Sequence, residues 1–221
     1  MIIKAIKQNL LEGLSHVMRA ISGKNANPIF SCIHLIAKDN KLTMITTDNE
    51  IRIETKIPVA IEAEGETVIF AKNFYDLVRR LPDVPITMSS VSKDGKDKTT
   101  ITYNDAEVVM HGFPGQNFPG MEEIKAEPSF QISATAFHKL IRHTSFTVSP
   151  DAVRDIFRGL FFHLKGHELH IVGTDSYRLT ILDEKVDNLL GEDKEAIIPI
   201  RALNEVDKLL KDDDTLSLRF Y

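Results

Sequence analysis

"LIAKDNKLTMITTDNEIRI" (35–53) and "FFHLKGHELHIVGTDSYRL" (161–179) decide the fold, because they are one pattern written twice. Each reads as two apolar-alternating runs joined by a short polar turn and closed by Thr-Asp, at 47–48 and again at 174–175. Alternation with period two puts one face of a strand against a core and the other in water. Strictly alternating "IRIETKIPV" (51–59) extends the first copy by another strand. Further out, "TVIFAKNFYDLVRRLPDVPITMS" (67–89) matches "AIIPIRALNEVDKLLKDDDTLSL" (196–218), and Leu11 and Leu14 match Phe137 and Leu140. Three segments in one order at nearly constant offset define a duplicated domain. The reading is domain one over 1–120, domain two over 128–221 and incomplete, with a Pro- and Gly-rich linker over 113–128. The chain stops at "LSLRFY", in register with the strand near 87–92, so the expectation is a piece of a longer chain.

Four stretches carry the three- and four-residue apolar spacing of helices: 9–21, 71–81, 134–144 with Ser133 as N-cap, and 200–210 opened by Pro199. "KTTITYNDAEVVMHG" (98–112) reads as a further hairpin turning at Asn104–Asp105. Hairpins and meanders outnumber helices, which predicts an α+β class with antiparallel sheets and helices on one face. The 221 residues are 43% hydrophobic and 27% charged, enough for packed cores. Cys32 is the only cysteine, so no intrachain disulfide forms, which fits a reducing, cytoplasmic setting. The opening "MIIKAIKQNL" reads as neither a signal peptide nor a membrane span, since Lys4 and Lys7 interrupt it.

Net charge is −5, yet the helical stretches with their flanks, residues 7–24, 71–80, 134–144 and 200–211, together carry +7 and everything else −12. Exposed helix faces commonly favour Lys and Arg. Four basic helices in an acidic chain also form a partner signal.

Asp175, Ser176, Tyr177 and Arg178 resemble a catalytic cluster at first sight. The repeat argues otherwise, because Thr47-Asp48 stands in the same place without the neighbouring Ser, Tyr and Arg. A Thr-Asp pair shared by both copies shapes a strand-end turn through side-chain to backbone hydrogen bonds. Ser176 has no elbow motif and no general base nearby. His163 and His170 face each other across the hairpin at Gly166, without an obvious third ligand for a metal. No phosphate loop, dinucleotide fingerprint or Cys-x-x-Cys is present, so neither metal nor cofactor is expected.

"SGKNANPIFSCIHL" (22–35), "TTDNEIRI" (46–53), "FAKNFYDLVRRLP" (70–82), "NFPGMEE" (117–123), "VRDIFRGLFF" (153–162) and "GTDSYRL" (173–179) occur in the order found in the bacterial DNA sliding clamp family, the β subunit of the replicative polymerase. The chain resembles that family over essentially its whole length. The resemblance implies a non-enzymatic ring with helices on the inner wall and sheets on the outer. Duplex DNA threads through it without sequence readout, and a homodimer closes it. It implies docking of DNA polymerase and clamp loader through short peptide motifs, and no membrane association. The family has three such domains per subunit; here the third is missing. Lys24 stands where the family often has an Arg that reaches the DNA channel. Lys72, Arg79, Arg80, Lys139, Arg142, Arg201 and Lys208 would line that channel from the helices. Asp155 and Ile156 replace the family's loop aromatics, and Arg154 either compensates or braces the loop. Thr174, Ser176, Tyr177, Arg178 and Leu179 would floor the peptide pocket, with Phe157 as its apolar wall. The alternative is a duplicated peptide-binding adaptor that never meets DNA.

Overall fold

The computed structural model describes residues 1–21, 27–120 and 127–220. They divide into two compact units, Met1–Glu122 and Glu123–Tyr221. The first runs β1 (Ile2–Ile6), α1 (Lys7–Val17), β2 (Cys32–Lys38), β3 (Lys41–Thr47), β4 (Arg52–Pro58), β5 (Ala60–Ala63), β6 (Gly65–Phe70), α2 (Ala71–Arg80), β7 (Pro85–Lys93), β8 (Lys96–Tyr103) and β9 (Ala106–Phe113). The second runs β10 (Phe130–Ser133), α3 (Ala134–Thr144), β11 (Gly159–Lys165), β12 (Glu168–Thr174), β13 (Leu179–Lys185), β14 (Asp187–Asn188), β15 (Lys194–Pro199), α4 (Ile200–Leu209) and β16 (Thr215–Leu218). Element for element the order repeats.

So does the pairing. β4-β3-β2-β6 of the first unit reappears as β13-β12-β11-β15, and β7-β1-β5 as β16-β10-β14. In the first unit the β8–β9 hairpin joins the two sets into one nine-stranded sheet. All described ladders are antiparallel. The first hairpin turns through Asp39 and Asn40 at φ 52° and 56°, both left-handed, as a two-residue turn matched to strand twist requires.

Each helix buries its apolar stripe. Leu10, Leu14 and Val17 of α1 and Phe74 and Val78 of α2 join Ile3, Ile33, Leu35, Ile69, Ile86 and Met88 in one core. Phe137, Leu140 and Ile141 of α3 and Ile200 and Leu203 of α4 join Phe130, Leu160, Phe162, Leu169 and Ile171 in the other. Ser133 caps α3 by accepting from the amide of Ala136 at 3.2 Å, as the sequence predicts. α1 departs from the 9–21 expectation. It begins at Lys7, directly from β1, and stops at Val17, where the Thr46 hydroxyl takes the Val17 carbonyl and a single 3-10 turn follows. α2 stops at Arg80 because Leu81, before Pro82, is extended at ψ 151°.

A smaller cluster lies on the other face of the β2–β6 sheet. Phe118 packs there with Cys32, Ile45 and Val68, joined by Ile29, Ile36 and Phe113. The chain leaving β9 is therefore tied down as far as Phe118, whose ring lies 5.2 Å from that of His34.

Candidate functional site

Two surfaces carry the residues singled out from sequence. The first is the solvent side of the helices. In α2, burial of Ala71, Phe74 and Val78 turns Lys72, Arg79 and Arg80 outward. Lys72 and Arg80 are exposed and, among the described residues, have no ion-pair partner. Arg79 lies 3.5 Å from Asp76 and over the Tyr75 ring at 6.0 Å. In α3, Arg142 is exposed, whereas Lys139 reaches sideways to Glu184 on β13 at 3.0 Å. In α4, Lys208 pairs with Glu205 at 2.7 Å, and Arg201 has a partner of its own. His138 of α3 meets Asp207 of α4 at 2.7 Å and ties that helix pair together. Of the nine cations read from sequence, Lys72, Arg80 and Arg142 thus stand on helices with their charge uncompensated. Arg79, Lys139 and Lys208 share theirs with a carboxylate, and Lys24 lies outside the described residues.

Arg154 is exposed in the loop before β11, but it does not brace that loop. The brace is Arg158, which donates to the Ala152 carbonyl at 2.6 Å and pairs with Asp155 at 3.1 Å. Val153 and Ile156 stand out into solvent from the same loop.

The second surface is the turn between β12 and β13. The Asp175 carboxylate accepts from the amides of Tyr177 at 3.0 Å and Arg178 at 3.1 Å, and from the Arg178 guanidinium at 2.9 Å. The amide of Ser176 donates to the Thr174 hydroxyl, which itself donates to the Arg178 carbonyl. The Tyr177 amide first, then Arg178, holds the Asp175 carboxyl below the ordinary carboxylate range. All of these bonds stay inside the turn, so Asp175 is a structural acceptor. With its backbone tied, the turn sends its side chains outward: Tyr177 is 96% exposed and Leu179 59%. Phe157, half-buried, ends the short 3-10 turn before β11, the strand beside β12.

Phe146 was not singled out from sequence. It is 56% exposed just past α3, and the Arg178 guanidinium lies 5.7 Å from its ring centroid. Phe146, Tyr177, Arg178 and Leu179 are thus all exposed, and the Arg178 stem and the Phe146 ring offer apolar surface beside the turn.

His163 and His170 are cross-strand partners with ring centroids 5.8 Å apart, and His170 Nδ1 is 2.7 Å from Asp183. No group of three or more His, Cys, Asp or Glu converges among the described residues. No helix among them is long and apolar enough to cross a membrane.

These features define a class: a duplicated α+β domain whose paired helices present cations and whose strand-end turn presents exposed aromatic and apolar side chains. Within that class the chain belongs to the DNA polymerase III beta subunit family, with residues 1–122 matching the N-terminal domain and 131–221 the central domain. It is 31% identical over 209 residues to the beta sliding clamp of Rickettsia bellii, covering 93% of this chain and 53% of that protein. It is 29% identical over 218 residues to that of Bacillus subtilis, covering 95% and 57%. The crystal structure of the Bacillus subtilis DNA polymerase sliding clamp superposes with a TM-score of 0.90 at 28% identity, over 97% of this chain and 58% of that one. The chain thus spans about half the length of the curated relatives it matches.

Proposed function

We propose that this chain acts in a DNA sliding clamp. In this reading it holds duplex DNA without sequence preference and tethers DNA polymerase and the clamp loader through short peptides. It works in the cytoplasm, catalyses no reaction itself and needs no cofactor. The observation that carries the reading is the set of uncompensated helix cations, Lys72, Arg80 and Arg142, on a chain of net charge −5. Such cations meet phosphates through counterion release, which is indifferent to base sequence. The turn at 174–179, with Phe157 nearby, is the proposed peptide seat.

Closure as a homodimer ring, by the full-length protein with its third domain, is part of the proposal. β9 pairs with β6 only at Phe113 and Gly112, which leaves the backbone of 106–111 without a strand on that side among the described residues. Beside that edge, Phe70, Leu77, Val108, Val109 and Met110 line an open groove of about 320 Å³. An open edge flanked by an apolar groove favours strand addition by a partner.

The test is fluorescence anisotropy on two unrelated duplexes at several salt concentrations. The reading expects equal, weak, steeply salt-dependent binding. Strong preference for one duplex, or salt-insensitive binding, refutes it; absence of DNA binding with retained peptide binding would favour an adaptor instead.

A further inference from the structure

The turn at 174–179 has a twin in the first unit, and the twin encloses a cavity. Three amide bonds of its construction are the same. The amide of Asn49 donates to the Thr47 hydroxyl at 3.2 Å, and the amides of Glu50 and Ile51 to the Asp48 carboxylate at 3.1 and 3.0 Å. Asn49 is left-handed at φ 81°, as Ser176 is at 75°. Against this turn Phe30, Thr47, Ile51, Arg52, Pro119 and Gly120, together with Asn49 and Glu50 of the turn itself, line a cavity of about 190 Å³. Phe30 stands 127 residues before Phe157, as Thr47 stands before Thr174. The enclosing wall comes from the chain after β9: Phe118, 6% exposed, is wedged against the sheet and holds Pro119 over the turn.

Lining and charge say what fits. Phe30, Ile51 and Pro119 offer an apolar surface, and the volume suits one large side chain rather than a cofactor. Arg52 replaces Leu179 of the second unit. Its guanidinium is 3.5 Å from Glu54, and Glu54 also takes Lys56 at 3.1 Å, so two cations share one carboxylate. Glu50, which also lines the cavity, has a partner of its own. A loosely held guanidinium at the mouth of an apolar cavity is complementary to a carboxylate next to an apolar side chain.

We infer that the first unit carries a second peptide seat, which takes a large apolar side chain with an acidic neighbour. The inference rests on the peptide-seat reading of 174–179, from which it differs by requiring the acidic neighbour.

Two blocked pentapeptides test it: acetyl-Gly-Asp-Leu-Phe-Gly-amide and its counterpart with Lys in place of Asp. Each is titrated into the ¹⁵N-labelled 221-residue chain, and amide shifts are followed. The expected result is saturable shifts at 49–52, with the Asp peptide bound about three- to fivefold more tightly, the size of one exposed charge pair. Arg52→Glu should reverse that preference, and Arg52→Gln should erase it, without moving the shifts at 174–179. Shifts confined to 174–179 would overturn the second seat and leave the first standing. Shifts at neither turn would overturn both. Shifts at 49–52 indifferent to peptide charge and to Arg52 would overturn the acidic specificity.

Discussion

Removing Lys72 and Arg80 together tests whether the helix face meets phosphate. Both side chains are exposed on α2 and have no ion-pair partner among the described residues, so Lys72→Ala with Arg80→Ala leaves the core untouched. With Arg142 they make three uncompensated helix cations. Three phosphate contacts give a slope of log affinity against log salt of about −2.7, a loss of about 40-fold between 50 and 200 mM. One remaining contact gives a slope of about −0.9, a loss of about fourfold over the same range. The assay is fluorescence anisotropy on a labelled duplex over that salt series, with circular dichroism confirming the fold. Lys208→Ala is the internal control. Its charge is shared with Glu205 at 2.7 Å, so its removal should change the slope by less than about half a unit. A double variant with the wild-type slope, or a Lys208 variant that loses as much as the double one, would refute the assignment of phosphate contacts to uncompensated cations.

Asp175→Ala removes the acceptor of two amides and a guanidinium and should lower the urea midpoint of the second unit. Because the folded carboxyl sits below its ordinary value, 3.8, its contribution is fully present above about pH 4 and lost as pH falls through the folded value. Urea midpoints of wild type and Asp175→Asn should therefore converge on acidification from pH 6 to pH 3. Gly112→Ala would drive a methyl into the Val68 carbonyl oxygen where β9 meets β6, and should lower stability by about 1–3 kcal/mol. The Cys32 thiol is fully buried and pushed up to about 11 by desolvation, so a thiol reagent at pH 8 should leave it unmodified in the native chain and react at once in urea.

What was legible in the sequence follows from which interactions are local. Helix stripes and strand alternation declare themselves because burial repeats with the backbone's own period, and the helices at 71–80 and 134–144 appear where the spacing puts them. The Thr-Asp turn was legible because two copies allowed subtraction of what differs. Charge compensation was legible only in part. Asp76 to Arg79 and Glu205 to Lys208 are spaced i, i+3, a pairing readable from the helix pattern alone. Lys139 and Glu184 are 45 residues apart, and only the packing of α3 against β13 joins them. Phe146 lay hidden for a similar reason: a lone Phe after a helix reads as core until Arg178, 32 residues on, is seen above its ring. The open β9 edge depends on where pairing with β6 stops, which strand propensity does not encode.

The duplication separates scaffold from recognition without any alignment. In both turns Thr and Asp accept the same three amides, and a left-handed residue follows directly. Because these bonds satisfy the backbone, the three positions after the left-handed residue are free to differ between the copies, although Arg178 also donates its guanidinium back to Asp175. They read Glu50, Ile51, Arg52 in one copy and Tyr177, Arg178, Leu179 in the other. Left-handed Ser176 is the costlier of the two φ-positive residues, since Asn tolerates that region better than Ser. Its strain persists because the flanking bonds over-determine the turn. The shared amide bonds of the frame stay inside it, and the copies differ in the side chains set on it. One backbone therefore carries exposed Tyr177 and Leu179 in the second unit and, in the first, a small partly open pocket lined by Arg52 and Glu50 among apolar neighbours.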